Sequence, residues 1–474
     1  LTQVSLGVML YTYFCAFVGG IMRIVIVGCG KVGTTLVSRL QEEGHEITVI
    51  DHNERVIEQI SNTVDVIGYV GNGAVYSVLE SAEVRGSDLL LAVTQDDEIN
   101  LLTCLVASSL GVKRTIARVR NPEYAENAAL FHDSFGIAMT INPERQLAGE
   151  IARILRFPSA TKVELFARGR AELVSCQLPT GNHAVGLKLF ELPQRLGVKV
   201  LVCAVQRGTE VIIPDGGFML EAGDELYLTG APREVEKAFR KLGMLANPIK
   251  NILITGGGKV TYYLAQELGD RFNIKIIERD KDRAEELANS LPNAVVLLGD
   301  ASDHELLTEE GLRNADAFVA MTGVDEANIL SAMYAKQMNV GKVICKVNID
   351  HLKALTRGAG IDSIVSSKNV TANTIVRVVR AYAAGEGKDN VRALYRIADD
   401  RAEILEFAAN AEMVNLIRIP LKDLKLKKNT LIACIVRRNR AIIPGGSDCI
   451  EPDDRVLVVT SGQRLTELTG ILEA

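Results

Sequence analysis

No two of the chain's eight cysteines form a C-x-x-C pair, and its six histidines show no ligand spacing such as His-x-x-x-His. A metal site is disfavoured on that ground, and the thiols read as small core residues of a reducing compartment. Basic residues are not in excess. Lys and Arg total 53 against 59 Asp and Glu, a net charge of −6, and no basic block is present to attract nucleic acid. Beyond the first 21 residues no stretch approaches the roughly 18 consecutive apolar residues of a transmembrane helix, so a membrane role there has to come through a partner. Residues 1–21 are apolar but lack a basic n-region and a spanning length, and Met22 stands directly before the first strand. They read as an over-extended translation start, with a membrane-associating leader as the alternative. A Gly-x-Ser-x-Gly nucleophile motif is also missing. What remains, 474 residues at 47% hydrophobic content, suggests roughly three domains with ample cores.

The chain is organised around Arg23-Ile-Val-Ile-Val-Gly28-Cys29-Gly30-Lys31-Val32-Gly33. A β-branched run enters Gly-x-Gly-x-x-Gly, which opens an amphipathic segment from Lys31 to Glu43, the order strand, tight turn, helix. Gly28 takes the turn, Gly30 lets backbone approach a pyrophosphate, and Gly33 lets helix and strand pack closely. The helix start offers unpaired N–H groups to the phosphates. A second strand, Glu46 to Ile50, ends in Asp51, at the spacing of roughly 20 residues expected for a ribose-binding acid. Nucleotide binding is the reading that this context favours, against an unliganded doubly wound fold.

Strand and helix signals then alternate, with strands expected at Val64–Ile67, Leu89–Val93, Arg114–Arg118 and Ile137–Ile141, before an apolar helix Pro143–Phe157. Repeated βα units fold as a parallel sheet with helices on both faces. Past Pro158 the pattern changes to short alternating runs at Lys162–Phe166, Glu172–Leu178 and Val198–Gln206, a small α+β module. The program then repeats. Asn251-Ile-Leu-Ile-Thr-Gly256-Gly257-Gly258-Lys259-Val260 reproduces the opening stretch 228 residues on, Glu278 closes the next strand as Asp51 does, and Lys346 takes the place of Arg118. Val93-Thr94-Gln95-Asp-Asp97-Glu-Ile-Asn100 returns as Met321-Thr322-Gly-Val-Asp325-Glu-Ala-Asn328, and the small module returns as well. Such agreement at near-constant offset signals internal duplication. The expected fold class is α/β: two Rossmann-like lobes with doubly wound parallel sheets, at 22–158 and 249–384, each followed by a small α+β module, at 159–244 and 390–474.

The Gly-Cys-Gly-Lys-Val-Gly start, the Val-Thr-x-Asp-Asp-Glu-x-Asn segment and the tandem order together resemble the TrkA family of Trk potassium-uptake regulatory subunits, from Met22 to Ala474. Each half is similar to an RCK unit, a regulator of potassium conductance. The resemblance implies a cytosolic subunit, peripheral on the inner face of the plasma membrane. It would dock on a potassium-translocating membrane partner and gate it according to bound nucleotide. It places Gly28, Cys29, Gly30, Lys31 and Val32 around the phosphates, Asp51 on the ribose, Thr94 and Gln95 in the crevice, and Arg118 on the far phosphate or second ribose. Taken alone, Arg118 reads as half of a surface ion pair. In the second half, Gly256, Gly257, Gly258, Lys259 and Val260 form the turn, Glu278 offers a carboxylate, and Lys346 gives a point charge in place of a bidentate fork. Thr261 stands where the third glycine belongs, so this turn is expected to sit wider, and occupancy of the second pocket stays open. The expected ligand is NAD(H) or an adenine nucleotide such as ATP or ADP, between which Asp51 does not choose because it suits the ribose of all of them; it does disfavour NADP, whose 2′-phosphate would face a carboxylate.

The competing reading is an NAD-dependent oxidoreductase, which needs a general acid or base beside the nicotinamide. The small modules hold one histidine between them, His183, in a polar stretch that reads as a solvated turn. The adjacent pairs Asp96-Asp97 and Asp453-Asp454 read as helix-terminal or turn charges. No enzyme is therefore expected. A nucleotide sensor acting on another transporter is the third alternative. The helices Pro143–Phe157 and Ser367–Tyr382 carry apolar faces that a single lobe has no obvious place to bury, and in the RCK family such helices pair lobes, which implies a homo-oligomer.

Overall fold

The computed structural model describes residues 20–473, apart from 126–127, 158, 245–248, 350, 353–355, 357, 384–390 and 399–400. Most of the segment read as an over-extended start or leader lies outside the described residues, as do the boundary positions 158, 384 and 390.

The first lobe is one parallel sheet of β1 (Arg23–Val27), β2 (Glu46–Asp51), β3 (Ile67–Val70), β4 (Leu89–Ala92), β5 (Thr115–Arg118) and β6 (Met139–Ile141), in the order β3-β2-β1-β4-β5-β6. Strand order reverses between β1 and β4. Their β-branched and leucine side chains are buried on both faces because helices cover both. The strand expected at Val64–Ile67 begins only at Ile67. The helix Glu54–Thr63 closes with the Val64 N–H donating to Ile60, so Val64 and Val66 pack on the core as the connection, and pairing starts at Thr48 with Ile67.

The module that follows is antiparallel, with β7 (Lys162–Phe166), β8 (Ala171–Gln177), β9 (Val200–Arg207), β10 (Glu210–Ile212) and β11 (Glu225–Gly230) in the order β10-β9-β11-β8-β7. The second lobe repeats the first through β12 (Asn251–Thr255), β13 (Asn273–Glu278), β14 (Ala294–Leu298), β15 (Ala317–Ala320), β16 (Lys342–Lys346) and β17 (Ser363–Val365), ordered β14-β13-β12-β15-β16-β17. The last module, β18 (Val391–Ile397), β19 (Ala402–Ala408), β20 (Thr430–Arg437), β21 (Arg440–Ile442) and β22 (Arg455–Ser461), matches the first strand for strand. In each module a buried aspartate takes a two-pronged arginine: Asp224 from Arg207 and Asp454 from Arg437. Of the pair read as turn charges, Asp453 occupies the turn with φ 69°, and Asp454 is a buried ion-pair partner.

The crossover helices are exchanged between the lobes. Asn142 caps the helix Pro143–Arg156, and its Leu147, Ile151, Ile154 and Leu155 are buried against Ile252, Val260 and Leu264 of the second lobe. The helix Ser367–Ala383 sets Ala372, Ile375, Val376 and Val379 against Leu36, Val37 and Leu40 of the first lobe and Leu394 and Leu405 of the last module. The two modules also share a core, with the Phe166 and Tyr395 rings 4.9 Å apart. The apolar faces of these helices are therefore covered within one chain. Contrary to the expectation from their apolar stripes, these helices do not call for further copies, because each has its place on the opposite lobe.

Candidate functional site

Both glycine turns sit at the carboxyl end of their central strand. Gly28 has φ 95° and Gly256 φ 93°, the left-handed region where only glycine is free of strain. A Cβ on Gly28 would meet the Thr94 nitrogen at 2.7 Å, and one on Gly256 the Thr322 Cα at 2.8 Å. Gly30 and Gly258 stand in open space and cap their helices without a side chain, so the first-turn N–H groups face outward. Val32 and Val260 are buried beneath the turns, whereas Lys31 is exposed and Lys259 half-buried. A Cβ at Gly33 would lie 1.9 Å from the Gly28 carbonyl oxygen. Thr261, at the same place in the second lobe, is fully buried and its hydroxyl donates to the Gly256 carbonyl at 2.5 Å. That turn has opened enough to admit a β-branched residue.

The strand-end acids hold these turns. Asp51 Oδ2 accepts the Cys29 N–H at 2.6 Å and Oδ1 the Asn53 N–H at 2.9 Å. Glu278 does the same for Gly257 at 2.5 Å and Asp280 at 2.9 Å. Each carboxylate oxygen keeps lone pairs for another donor, such as a ribose hydroxyl. Burial, with Asp51 adding to it, pushes the Cys29 thiol up to about 12, which leaves it an inert wall.

Behind each turn stands a buried asparagine. Asn100 Oδ1 accepts the Thr94 N–H at 2.8 Å while its Nδ2 donates to the Arg118 carbonyl at 2.9 Å; Asn328 joins Thr322 to Lys346 at 2.7 and 3.0 Å. Asp97 Oδ2 accepts N–H groups of Arg120 and Asn121, and Asp325 those of Asn348 and Ile349. Asn100, Asn328 and Asp325 carry no assigned role in the sequence and Asp97 only that of a helix-terminal or turn charge, although all four lie in the duplicated segment, and the repeat itself was the signal. Asp96 is the side-chain cap of its helix, as expected, but Asp97 is a buried clamp.

The two clefts open onto one cavity of about 1470 Å³, walled by Gly30, Thr94 and Arg118 of one lobe and by Gly258, Thr322 and Lys346 of the other. Asp51, Gln95 and Glu278 line it too. A larger void, about 2600 Å³, lies among the lobes and modules and has neither Asp51 nor Glu278 on its wall. Arg118 is not a surface residue. Its side chain is 12% exposed and pairs with Glu144 at 3.4 Å, and Arg120 Nε donates to the same oxygen at 2.7 Å. Burial lowers the Arg118 pKa, with Glu144 opposing the shift. Lys346 donates to the Met321 carbonyl at 3.1 Å, and burial lowers its pKa against the pull of Asp325 and Glu144. His183 lies exposed on a turn, away from the cavity. Among the described residues no group of three or more His, Cys, Asp or Glu could hold a metal, and no helix is long and apolar enough to cross a membrane.

The TrkA-N domain family matches residues 24–143 and 252–367, and the TrkA-C domain family residues 173–243 and 407–472. The chain is 34% identical over 443 residues to the Trk system potassium uptake protein TrkA of Vibrio alginolyticus, covering 92% of this chain and 95% of that protein. It is 33% identical over 456 residues to a TrkA homolog of Methanosarcina mazei, covering 94% and 99%. Among solved structures, the GsuK channel bound to NAD superposes with a TM-score of 0.61 at 18% identity, over 93% of this chain and 77% of that one. With both domain types present twice and in alternation, the chain belongs to the TrkA family.

Proposed function

We propose that the chain is the nucleotide-responsive regulatory subunit of a Trk-type potassium uptake system. It would act through a potassium-translocating membrane partner, on the inner face of the plasma membrane, without turnover of its ligand. The observation that carries this reading is the twofold recurrence of glycine turn, strand-end acid and asparagine clamp around one shared cavity. The first cleft fits an adenine nucleotide. Gly30, Lys31 and Val32 present backbone N–H groups to phosphates, while Gly28 and Cys29 form the turn beneath them with their own N–H groups donated to Ile50 and Asp51; Gly33 allows the close turn, Asp51 takes ribose hydroxyls, Thr94 and Gln95 line the crevice, and Arg118, paired with Glu144, lies on the cavity wall toward the distal phosphate. In the second cleft Gly256, Gly257, Gly258, Lys259, Val260, Glu278 and Lys346 play the corresponding parts. The curated relatives are named for potassium uptake, and the GsuK channel carries NAD; NAD(H), with ATP or ADP as competitors, is the ligand class proposed here.

Assembly is supported by a duplicated surface. Leu102 and Leu105 are 46% and 42% exposed on the helix Asp97–Ser109, and the equivalent Leu330 and Met333 are 62% and 44% exposed on the helix Asp325–Gln337. Apolar faces repeated at matching positions suit contacts between copies, so a homo-oligomer is proposed.

The test is co-purification with a candidate potassium-translocating subunit, followed by potassium flux through the reconstituted complex with NADH, NAD, ATP and ADP. Nucleotide-dependent flux is expected. Flux indifferent to every nucleotide overturns the gating role, and turnover of NADH by the purified protein would restore the oxidoreductase reading.

A further inference from the structure

Glu144 meets two guanidinium groups with one oxygen. Its Oε1 accepts from Arg120 Nε at 2.7 Å and from Arg118 Nη2 at 3.4 Å, while Oε2 is buried with no hydrogen-bond partner among the described residues. Arg118 Nε is buried and unpartnered as well. Two positive charges facing one carboxylate, with donor and acceptor capacity left over on each side, make an unsaturated pairing. A phosphoryl group, with more charge and three oxygens for bidentate arginine contacts, is the better match.

The site lies within reach of the first glycine turn. Arg118 Nη1 donates to the Thr94 carbonyl at 3.4 Å, and Thr94 is the residue against which Gly28 is packed. Arg118, Arg120 and Glu144 all face the cavity onto which that turn opens. Glu144 also stands in the first turn of the helix Pro143–Arg156, whose buried face rests on the second lobe's helix Lys259–Leu268. At this junction Asn142 Nδ2 donates to the Tyr263 hydroxyl at 2.8 Å, and that hydroxyl donates to the Arg120 carbonyl at 3.3 Å.

We propose that Glu144 is a built-in anion that occupies Arg118 and Arg120 until the distal phosphate of a bound adenine nucleotide displaces it. Glu144 thereby sets the charge preference of the first cleft and transmits its occupancy to the opposite lobe. The proposal rests on the first cleft being a nucleotide site. A nucleotide whose single phosphate ends at the glycine turn leaves the Glu144 pairing in place. A triphosphate reaches the arginines, frees the carboxylate, and so loosens the start of a helix seated on the second lobe's own glycine-turn helix.

The experiment titrates AMP, ADP and ATP into the full chain, as wild type and as Glu144→Gln and Glu144→Ala, with EDTA and with magnesium. Removing the competing carboxylate should tighten ATP relative to AMP by roughly tenfold or more, the scale of one charge-assisted contact no longer exchanged. AMP affinity serves as the internal control for folding, since a damaged cleft weakens both. In wild type, amide hydrogen exchange in residues 143–148 should rise with ATP and not with AMP. An unchanged ATP-to-AMP ratio overturns the proposal. So does weaker ATP binding in Glu144→Gln, which would make Glu144 a direct or cation-mediated ligand contact. Both results leave the nucleotide site itself standing; if wild type binds none of the three, that site fails and this inference with it.

Discussion

Arg380 of the helix Ser367–Ala383 forms a two-pronged ion pair with Glu43 of the first lobe, Nε to Oε2 at 2.8 Å and Nη2 to Oε1 at 2.6 Å, with both residues buried. Arg380 also donates to Glu403, and Arg396 to Glu43, so the pair extends into the last module. A buried network of this kind adds little over apolar packing when complete, but removing one member strands the others. It fastens the exchanged helix to the lobe that receives it.

Glu43→Gln should therefore cost about 3–5 kcal/mol of stability, far more than a surface pair. Burial alone would raise the Glu43 carboxyl, but the hydrogen bond and charge of Arg380, with Arg464 and Arg396 behind, hold it below its ordinary value of 4.5. A carboxylate lowered in the folded state stabilises fully above its unfolded pKa and loses that contribution as pH falls through the folded value. The gap in melting temperature between wild type and Glu43→Gln should be full near neutral pH and close as the pH drops below 4.5.

The two glycine turns should answer differently to the same exchange. Gly33→Thr forces a Cβ toward a carbonyl oxygen 1.9 Å away and should destabilise the first lobe by at least about 1–3 kcal/mol. Thr261→Gly removes a hydroxyl bond from a turn already opened and should cost less, about 1–2 kcal/mol. Thermal melts of the two variants decide it, and equal losses would mean that the turns are not differently packed.

Asp51→Ala removes the acceptor for the Cys29 N–H together with the proposed ribose contact. Nucleotide affinity at the first cleft should fall by about 1.5–3 kcal/mol, tenfold to somewhat above a hundredfold. Calorimetry on Asp51→Ala and Glu278→Ala separates the clefts: loss confined to the first variant assigns the measured site to the first lobe. Unchanged affinity in both removes the acids from recognition.

The exposed apolar positions are the proposed contacts between copies. Leu105→Asp combined with Met333→Asp should break oligomers into monomers at micromolar concentration, while the melting temperature stays within a few degrees of wild type, because neither side chain contributes to a core. Light scattering reads the first effect and calorimetry the second. An oligomer that survives both changes uses another surface.

Much of the site was legible in order. Gly28, Gly30 and Gly33 with Asp51, and Gly256 and Gly258 with Glu278, could be found because strand, turn and helix are local structures set by residue type and spacing. The duplication was legible too, since a repeated pattern needs no coordinates. The reading missed that Asn100 and Asn328 clamp the crevices, because a buried amide resembles any polar residue until its partners, Thr94 with Arg118 and Thr322 with Lys346, are brought beside it. Arg118, which taken alone reads as half of a surface ion pair, is instead buried against Glu144 at the wall of the cavity.

By itself, the sequence determined two Rossmann-like lobes and two small modules, the turns that open each cleft, and the acids that close them. All of these follow from periodicity and backbone freedom over short spans. Only the tertiary structure decided that each crossover helix is buried on the opposite lobe, that the two clefts share one cavity, and that Glu144 stands between Arg118 and Arg120. Those relations depend on side chains far apart in the chain competing for the same buried surface and the same charge. An apolar stripe states that it must be covered, and a lone arginine that it must be paired, but neither names its partner.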